Sequence, residues 1–290
     1  MTITILDGGM GQELVKRSGD TPTALWSTQV MIDHPGLVAE VHGDYFRAGA
    51  SIATTNTYAI HRDRLRFIDI EHRFFQLLDC ALQEAANARR IHGSGLIAGS
   101  LGPLVASYRP DLCPPPNDAA PIYAEVADHI APHCDMLIGE TVASLSHAEG
   151  LFQGTKGAGK PIWLAVTVDD EDGTLLRSGE PVADLAPILK AHKPDAILAN
   201  CSAPEAITAT LDVLKTFDLP FGAYANGFKE ITKNFLKDKP TVDALETRED
   251  FTPARYADFA ETWVEQGATI IGGCCEVGPD HIAELTRRFT

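Results

Sequence analysis

Short apolar and β-branched runs bounded by turn residues alternate along the chain with longer stretches whose apolar positions recur at helical spacing. The runs fall at 3–8 (ITILDG), 51–58 (SIATTNTY), 95–102 (GLIAGSLG), 135–141 (DMLIGET), 162–168 (IWLAVTV), 196–202 (AILANCS), 220–226 (PFGAYAN) and 269–275 (TIIGGCC). Their near-continuous apolar character marks parallel strands covered on both faces. Between them the spacing predicts helices over 36–48, where Leu37, Val38, Val41 and Tyr45 share a face, over 71–92, where Phe74, Leu78, Leu82 and Ala85 do, and over 203–216. An open doubly wound sheet alternates in the same way, but eight units of this size favour closure. The expected fold is α/β, a single (β/α)8 TIM barrel in which residues 1–290 form one domain.

Three connections after strands are long: 9–35, 103–120 and 227–252. In a barrel such loops ring one mouth, where active sites are built, so length there reads as substrate cover. The charged 227–252 connection fits a tolerated surface insertion better. The Pro-rich RPDLCPPP at 109–116 reads as a stiff rim loop. Aligning the strands by their C-terminal ends gathers Asp7, Asn56, Glu140, Asn200 with Cys201, Asn226, and Cys274 with Cys275 at that mouth. A carboxylate or thiol at the end of a buried strand is costly without a partner, so this polarity marks a site rather than a core.

Composition narrows the partners. The 290 residues are 44% hydrophobic and 22% charged, which excludes a disordered chain, and the formal net charge of -16 has the wrong sign for nucleic acid or an anionic membrane. No apolar run approaches the roughly 20 residues that span a bilayer, and the start MTITILDGGMGQEL lacks a basic n-region and a cleavage site. A soluble, cytoplasmic protein acting on small molecules is expected. Six cysteines are too sparse for a disulfide scaffold in so long a chain, so reduced thiols or a metal site are expected.

The block IIGGCCEVGPDHI at 270–282 carries the strongest signal. Adjacent cysteines do not readily bond each other, but both can face a metal where a strand ends. Cys201, at the end of the sixth strand, would complete three thiols beside Cys274 and Cys275, with small Gly272 and Gly273 allowing close approach. Three protein ligands with an open position is the pattern of a catalytic zinc, and sulfur ligation selects a thiophilic metal. Any one of these cysteines alone would read as a small buried hydrophobe, as Cys80, Cys113 and Cys134 do. No HExxH pair occurs, and His281 reads as a capping or packing residue.

The segments LDGGMGQEL (6–14), LWS (25–27), AGASIATTNTY (48–58), GET (139–141), NCSAPEAI (200–207) and IGGCCEVGPDHI (271–282) resemble the zinc-dependent homocysteine S-methyltransferase family over essentially the whole chain. The resemblance implies a (β/α)8 barrel in which Cys201, Cys274 and Cys275 bind Zn2+ and the homocysteine sulfur takes the open position. It also implies that Asp7 and Glu140 hold the amino acid, and that a methyl group moves from an S-methylmethionine-like sulfonium or a betaine-like ammonium to L-homocysteine, forming methionine. Glu276, directly after the paired cysteines, departs from the family pattern.

The chemistry of these residue types agrees. A free thiol is only a few per cent thiolate at neutral pH, and a coordinated zinc removes that limit. Asp7 and Glu140 suit a substrate ammonium, and backbone N–H groups at Gly8 and Gly9 suit its carboxylate. Trp26 and Tyr58 stand where aromatic faces can hold an onium methyl by cation–π attraction, or can simply pack under the rim; Tyr108 and Tyr224 are weaker candidates. A non-catalytic zinc or thiol sensor is the alternative, disfavoured because it needs no paired carboxylates at the mouth. A phosphate site at the IIGG turn ranks last, because three thiolates would repel it.

Overall fold

The computed structural model describes the chain except for residues 1, 22, 24, 230 and 232–244. Eight strands, β1 (Thr4–Ile5), β2 (Ile52–Thr54), β3 (Leu96–Leu101), β4 (Met136–Val142), β5 (Ile162–Val166), β6 (Ala196–Asn200), β7 (Phe221–Tyr224) and β8 (Ile270–Ile271), coincide with the eight expected runs. They form one parallel sheet in the order β1-β8-β7-β6-β5-β4-β3-β2. Its two ends meet through a Leu6–Ile52 bridge, with Ser51 N donating to Ile5 O (2.8 Å) and Asp7 N to Ile52 O (3.1 Å). The sheet is therefore a barrel.

Helices α1 (Met10–Ser18), α2 (Ser27–Asp33) and α3 (Leu37–Arg47) lie between β1 and β2, and α4 (Arg62–Arg66) and α5 (Phe74–His92) lie between β2 and β3. The later crossovers are α6 (Pro116–Ile130), α7 (Leu145–Thr155), α8 (Ala186–His192), α9 (Pro204–Leu214) and α10 (Pro253–Glu265), and α11 (Pro279–Phe289) follows β8. The forecast helices correspond to α3, to α5 with a short 3-10 turn before it, and to α9 with one after it. Local chemistry sets their ends: Ser144 Oγ caps α7 by accepting from His147 N, Thr252 and Pro253 open α10, and Gly93 stops α5 at φ +90°. Among the described residues no helix is long and apolar enough to cross a membrane.

The period of two along each strand divides the core. Leu6, Ile52, Ala98, Met136, Ile138, Ala196, Leu198, Tyr224 and Ile270 form one cluster inside the barrel. Their neighbours, among them Ile97, Leu137, Ile197 and Ile271, join Val41, Tyr45, Leu78, Tyr123 and Ile207 from the helices in the outer layer. Continuing the inner series toward the C-terminal ends reaches Thr54, Ser100, Glu140 and Asn200. These polar residues lie above an apolar plug.

Candidate active site

Strand β7 runs between β6 and β8, and its end holds the cysteines. Cys201 N donates to Tyr224 O (3.2 Å), Cys274 N to Ala225 O (2.9 Å), and Gly227 N to Cys275 O (2.9 Å). This register brings the sulfurs of Cys201, Cys274 and Cys275 within 4.8 Å of one another, a group that could hold a metal ion. Cys201 and Cys274, with Cα atoms 5.7 Å apart, are joined as a disulfide, where reduced thiols were expected. Side chains aimed at one point suit a shared metal and a sulfur–sulfur bond alike. Cys275 keeps its thiol, pushed up to about 12 by burial and by the Glu276 charge. Cys134 packs into the core and Cys80 lies on α5, as packing residues would. His281 accepts from Gly278 N and rests against Phe251 and Tyr256.

The β1–α1 turn lies directly against this cluster, and only glycine permits it. A Cβ at Gly9 would come 2.4 Å from the Cys274 carbonyl oxygen, and one at Gly11 would come 2.3 Å from the Trp26 ring. Gly9 N donates to Val277 O (2.9 Å), a partner that the sequence does not reveal.

Asp7 is buried, with Oδ2 accepting from Thr54 N (2.7 Å) and Oδ1 from Thr54 Oγ1 (2.9 Å). Burial nevertheless raises it to about 8, against the lowering effect of Thr54 and with a push from Glu140. Glu140 accepts from Ser100 Oγ (2.5 Å) and Tyr224 Oη (3.1 Å), and burial raises it despite those bonds. A register shift in β4 between Gly139 and Val142 and a left-handed Thr141 (φ +56°) interrupt the strand at Glu140. Asn200 clamps that bulge, accepting from Thr141 N (3.1 Å) and donating to Thr141 Oγ1 (3.2 Å). Asn200 is thus structural, whereas Asn226 accepts from Phe228 N through Oδ1 and leaves its buried Nδ2 without a partner among the described residues. Asn56 donates to Ser27 O on α2.

Two tyrosines have site contacts that the sequence does not reveal. Tyr224 touches Glu140 directly, and Tyr108 packs in one cluster with Cys201, Cys275 and Trp26. Trp26 and Tyr58 meet edge to face at 6.5 Å, and the Tyr58 hydroxyl shares a 2.7 Å hydrogen bond with Ser107 Oγ. Trp26 Nε1 donates to Gln12 Oε1 (3.0 Å), and Gln12 Nε2 donates to Glu276 Oε1 (2.8 Å). Glu276 therefore turns toward α1 and steadies the indole.

One cavity of about 630 Å³ takes in Asp7, Glu140, Cys201, Cys274 and Cys275, with Trp26, Tyr58, Tyr108 and Tyr224 in its wall. Of the 227–252 connection, residues 230 and 232–244 lie outside the described residues, but Phe228 and Leu245 from its described ends line the cavity, so those ends are site wall rather than surface insertion. Trp26, Val105, Tyr108, Thr141, Cys201 and Glu276 all take positive φ around the site. Non-glycine residues so held cost about 1–3 kcal/mol each, and such strain concentrates at functional sites.

A profile of the homocysteine S-methyltransferase family matches residues 4–289. The chain is 30% identical to the homocysteine S-methyltransferase of Escherichia coli over 99% of its own length and 95% of that protein's, and 27% identical to homocysteine S-methyltransferase YbgG of Bacillus subtilis over 98% and 93%. Among solved structures it is similar to the homocysteine methyltransferase MmuM of Escherichia coli in its metallated form, with a TM-score of 0.83, and in its oxidized form, with 0.82. Both are 28% identical and are aligned over 99% of this chain and 96% of that one. With its closed barrel and three converging sulfurs, this chain belongs to the homocysteine S-methyltransferase family.

Proposed function

We propose that residues 1–290 act as one homocysteine-binding barrel that transfers a methyl group from an onium donor, an S-methylmethionine-like sulfonium or a betaine-like ammonium, to L-homocysteine and releases methionine. Zinc is the metal in this reading, held by Cys201, Cys274 and Cys275, whose soft sulfurs suit it. The observation that carries the reading is the convergence of those three sulfurs in the same cavity as the carboxylates of Asp7 and Glu140. When bound, zinc supplies the Lewis acidity that keeps a thiol deprotonated and nucleophilic at neutral pH. Sulfurs bonded to each other offer no such ligands, so the Cys201–Cys274 disulfide must be reduced first.

The chain's own groups do the positioning. Asp7 and Glu140 receive the ammonium of homocysteine, and its arrival favours the ionised carboxylates that burial alone disfavours. Because Gly9 N is committed to Val277 O, the substrate carboxylate falls to Gly8 N and the first-turn N–H groups of α1. Trp26, Tyr58 and Tyr108 offer aromatic faces to the onium methyl. The sulfur's electron pair forms the new S–CH3 bond in line as the methyl–onium bond breaks, and the leaving group keeps the two electrons of the broken bond and departs neutral. Reduced, zinc-loaded protein incubated with homocysteine and a panel of sulfonium and ammonium donors should yield methionine by mass spectrometry. Zinc binding with no methionine from any donor would leave only the sensor reading.

A further inference from the structure

Helix α4 carries three arginines, and two are paired with acids: Arg62 with Glu125 (2.7 Å) and Arg66 with Glu71 (2.8 Å). Arg64, between them, borders the cavity of the active site instead. Its Nη2 donates to Pro103 O (2.7 Å), its Nε is buried without a partner, and no carboxylate pairs with it among the described residues. Adjacent Asp63 is committed elsewhere, accepting from the backbone N–H groups of Arg64 (2.9 Å) and Val105 (2.5 Å). In a chain of net charge -16, a cation left without an acid beside a substrate cavity is conspicuous.

Tyr58 links this cation to the site. The Arg64 guanidinium lies 5.7 Å from the centre of its ring, and Tyr58 and Glu140 line the same cavity. One cavity is therefore lined by carboxylates, sulfurs, aromatic faces and an arginine that lies against the Tyr58 ring. That combination complements a molecule whose positive methyl-bearing centre and negative group are separated. A simple cation would be drawn by the carboxylates but repelled by Arg64, having no carboxylate of its own to turn that contact into an attraction.

Building on the proposed methyl transfer, we propose that Arg64 anchors the carboxylate of the methyl donor, so that the enzyme selects a zwitterionic onium acid over a plain onium cation. Guanidinium–carboxylate contacts are charge-assisted and directional, which fixes the donor end to end and aims its methyl at the sulfurs.

The test compares dimethylsulfoniopropionate with its carboxamide, which keeps the sulfonium and loses the charge, on reduced, zinc-loaded protein saturated with homocysteine. The wild-type chain should favour the carboxylate by about ten- to hundredfold in kcat/KM. Arg64→Gln should erase that preference by raising the KM of the carboxylate donor alone, and Arg64→Lys should restore part of it. No preference in the wild type, equal losses for both donors in Arg64→Gln, or a raised KM for homocysteine instead would each overturn the assignment. Should no donor give methionine, the enzyme reading falls, and calorimetric binding of the same pair decides this one separately. Carboxylate-selective binding lost in Arg64→Gln supports the anchor, and equal binding of the two overturns it.

Discussion

Replacing Asp7 by Asn removes a charge from the proposed ammonium site with little change of shape. The Asn carbonyl can keep the bond from Thr54 N, and the Thr54 hydroxyl can turn to accept from the new amide, so both contacts of Asp7 survive. The charge is what changes. Burial raises Asp7 from 3.8 to about 8, so the folded protein holds its proton across a window in which the unfolded chain has lost it. Stability from this group is full below 3.8 and declines as pH climbs toward about 8, by at most roughly 6 kcal/mol. Asp7→Asn should therefore melt higher than wild type at pH 8, and the gain should shrink toward pH 5. Homocysteine binding should respond in the opposite sense. Near pH 6 both side chains are neutral and the two proteins should bind alike. As pH rises through about 8 the wild type gains a charge-assisted contact worth about 1.5–3 kcal/mol, a ten- to hundredfold advantage. Calorimetric titrations of homocysteine into both zinc-loaded proteins from pH 6 to 9, beside thermal melts of the free proteins, measure both trends. An affinity ratio that stays flat with pH, or equal affinities throughout, would refute the role of Asp7.

Ala substitutions of Cys201, Cys274 or Cys275 should each remove most of about one zinc per chain by elemental analysis, whereas Cys134→Ala should keep the metal and lose about 1–3 kcal/mol of stability from its core site. Full retention of zinc by Cys275→Ala would break the assignment. Untreated protein carrying the Cys201–Cys274 disulfide should take up little zinc until a reductant is added, as a chromogenic chelator can follow. Gln12→Ala should sever the link between Trp26 and Glu276, shift tryptophan emission and raise the donor KM several-fold, with homocysteine affinity unchanged; an unmoved donor KM would show that the indole needs no such support.

The sequence by itself determined the barrel and much of its mouth. Strand periodicity is a property of the local backbone, so eight buried runs separated by helical stretches were enough to specify eight parallel strands. The same alternation carries Met136 and Ile138 forward to Glu140, and the strand ends carried Asp7, Cys201, Cys274 and Cys275 to one rim. Only the tertiary structure decided how those residues are used. Closure of the barrel brings Gln12 to Glu276, which is 264 positions away, seats Thr54 under Asp7 and Tyr224 under Glu140, and commits Gly9 N to Val277 O. The hydrogen bonds of β7 set the register that converges the sulfurs, and Asn200 holds the bulge at Thr141. Arg64 gave no signal in the sequence, and only the fold shows that Arg62 and Arg66 find acids while Arg64 has none among the described residues. Periodicity is written residue by residue along the chain, whereas partnership across the mouth depends on where distant strand ends come to rest.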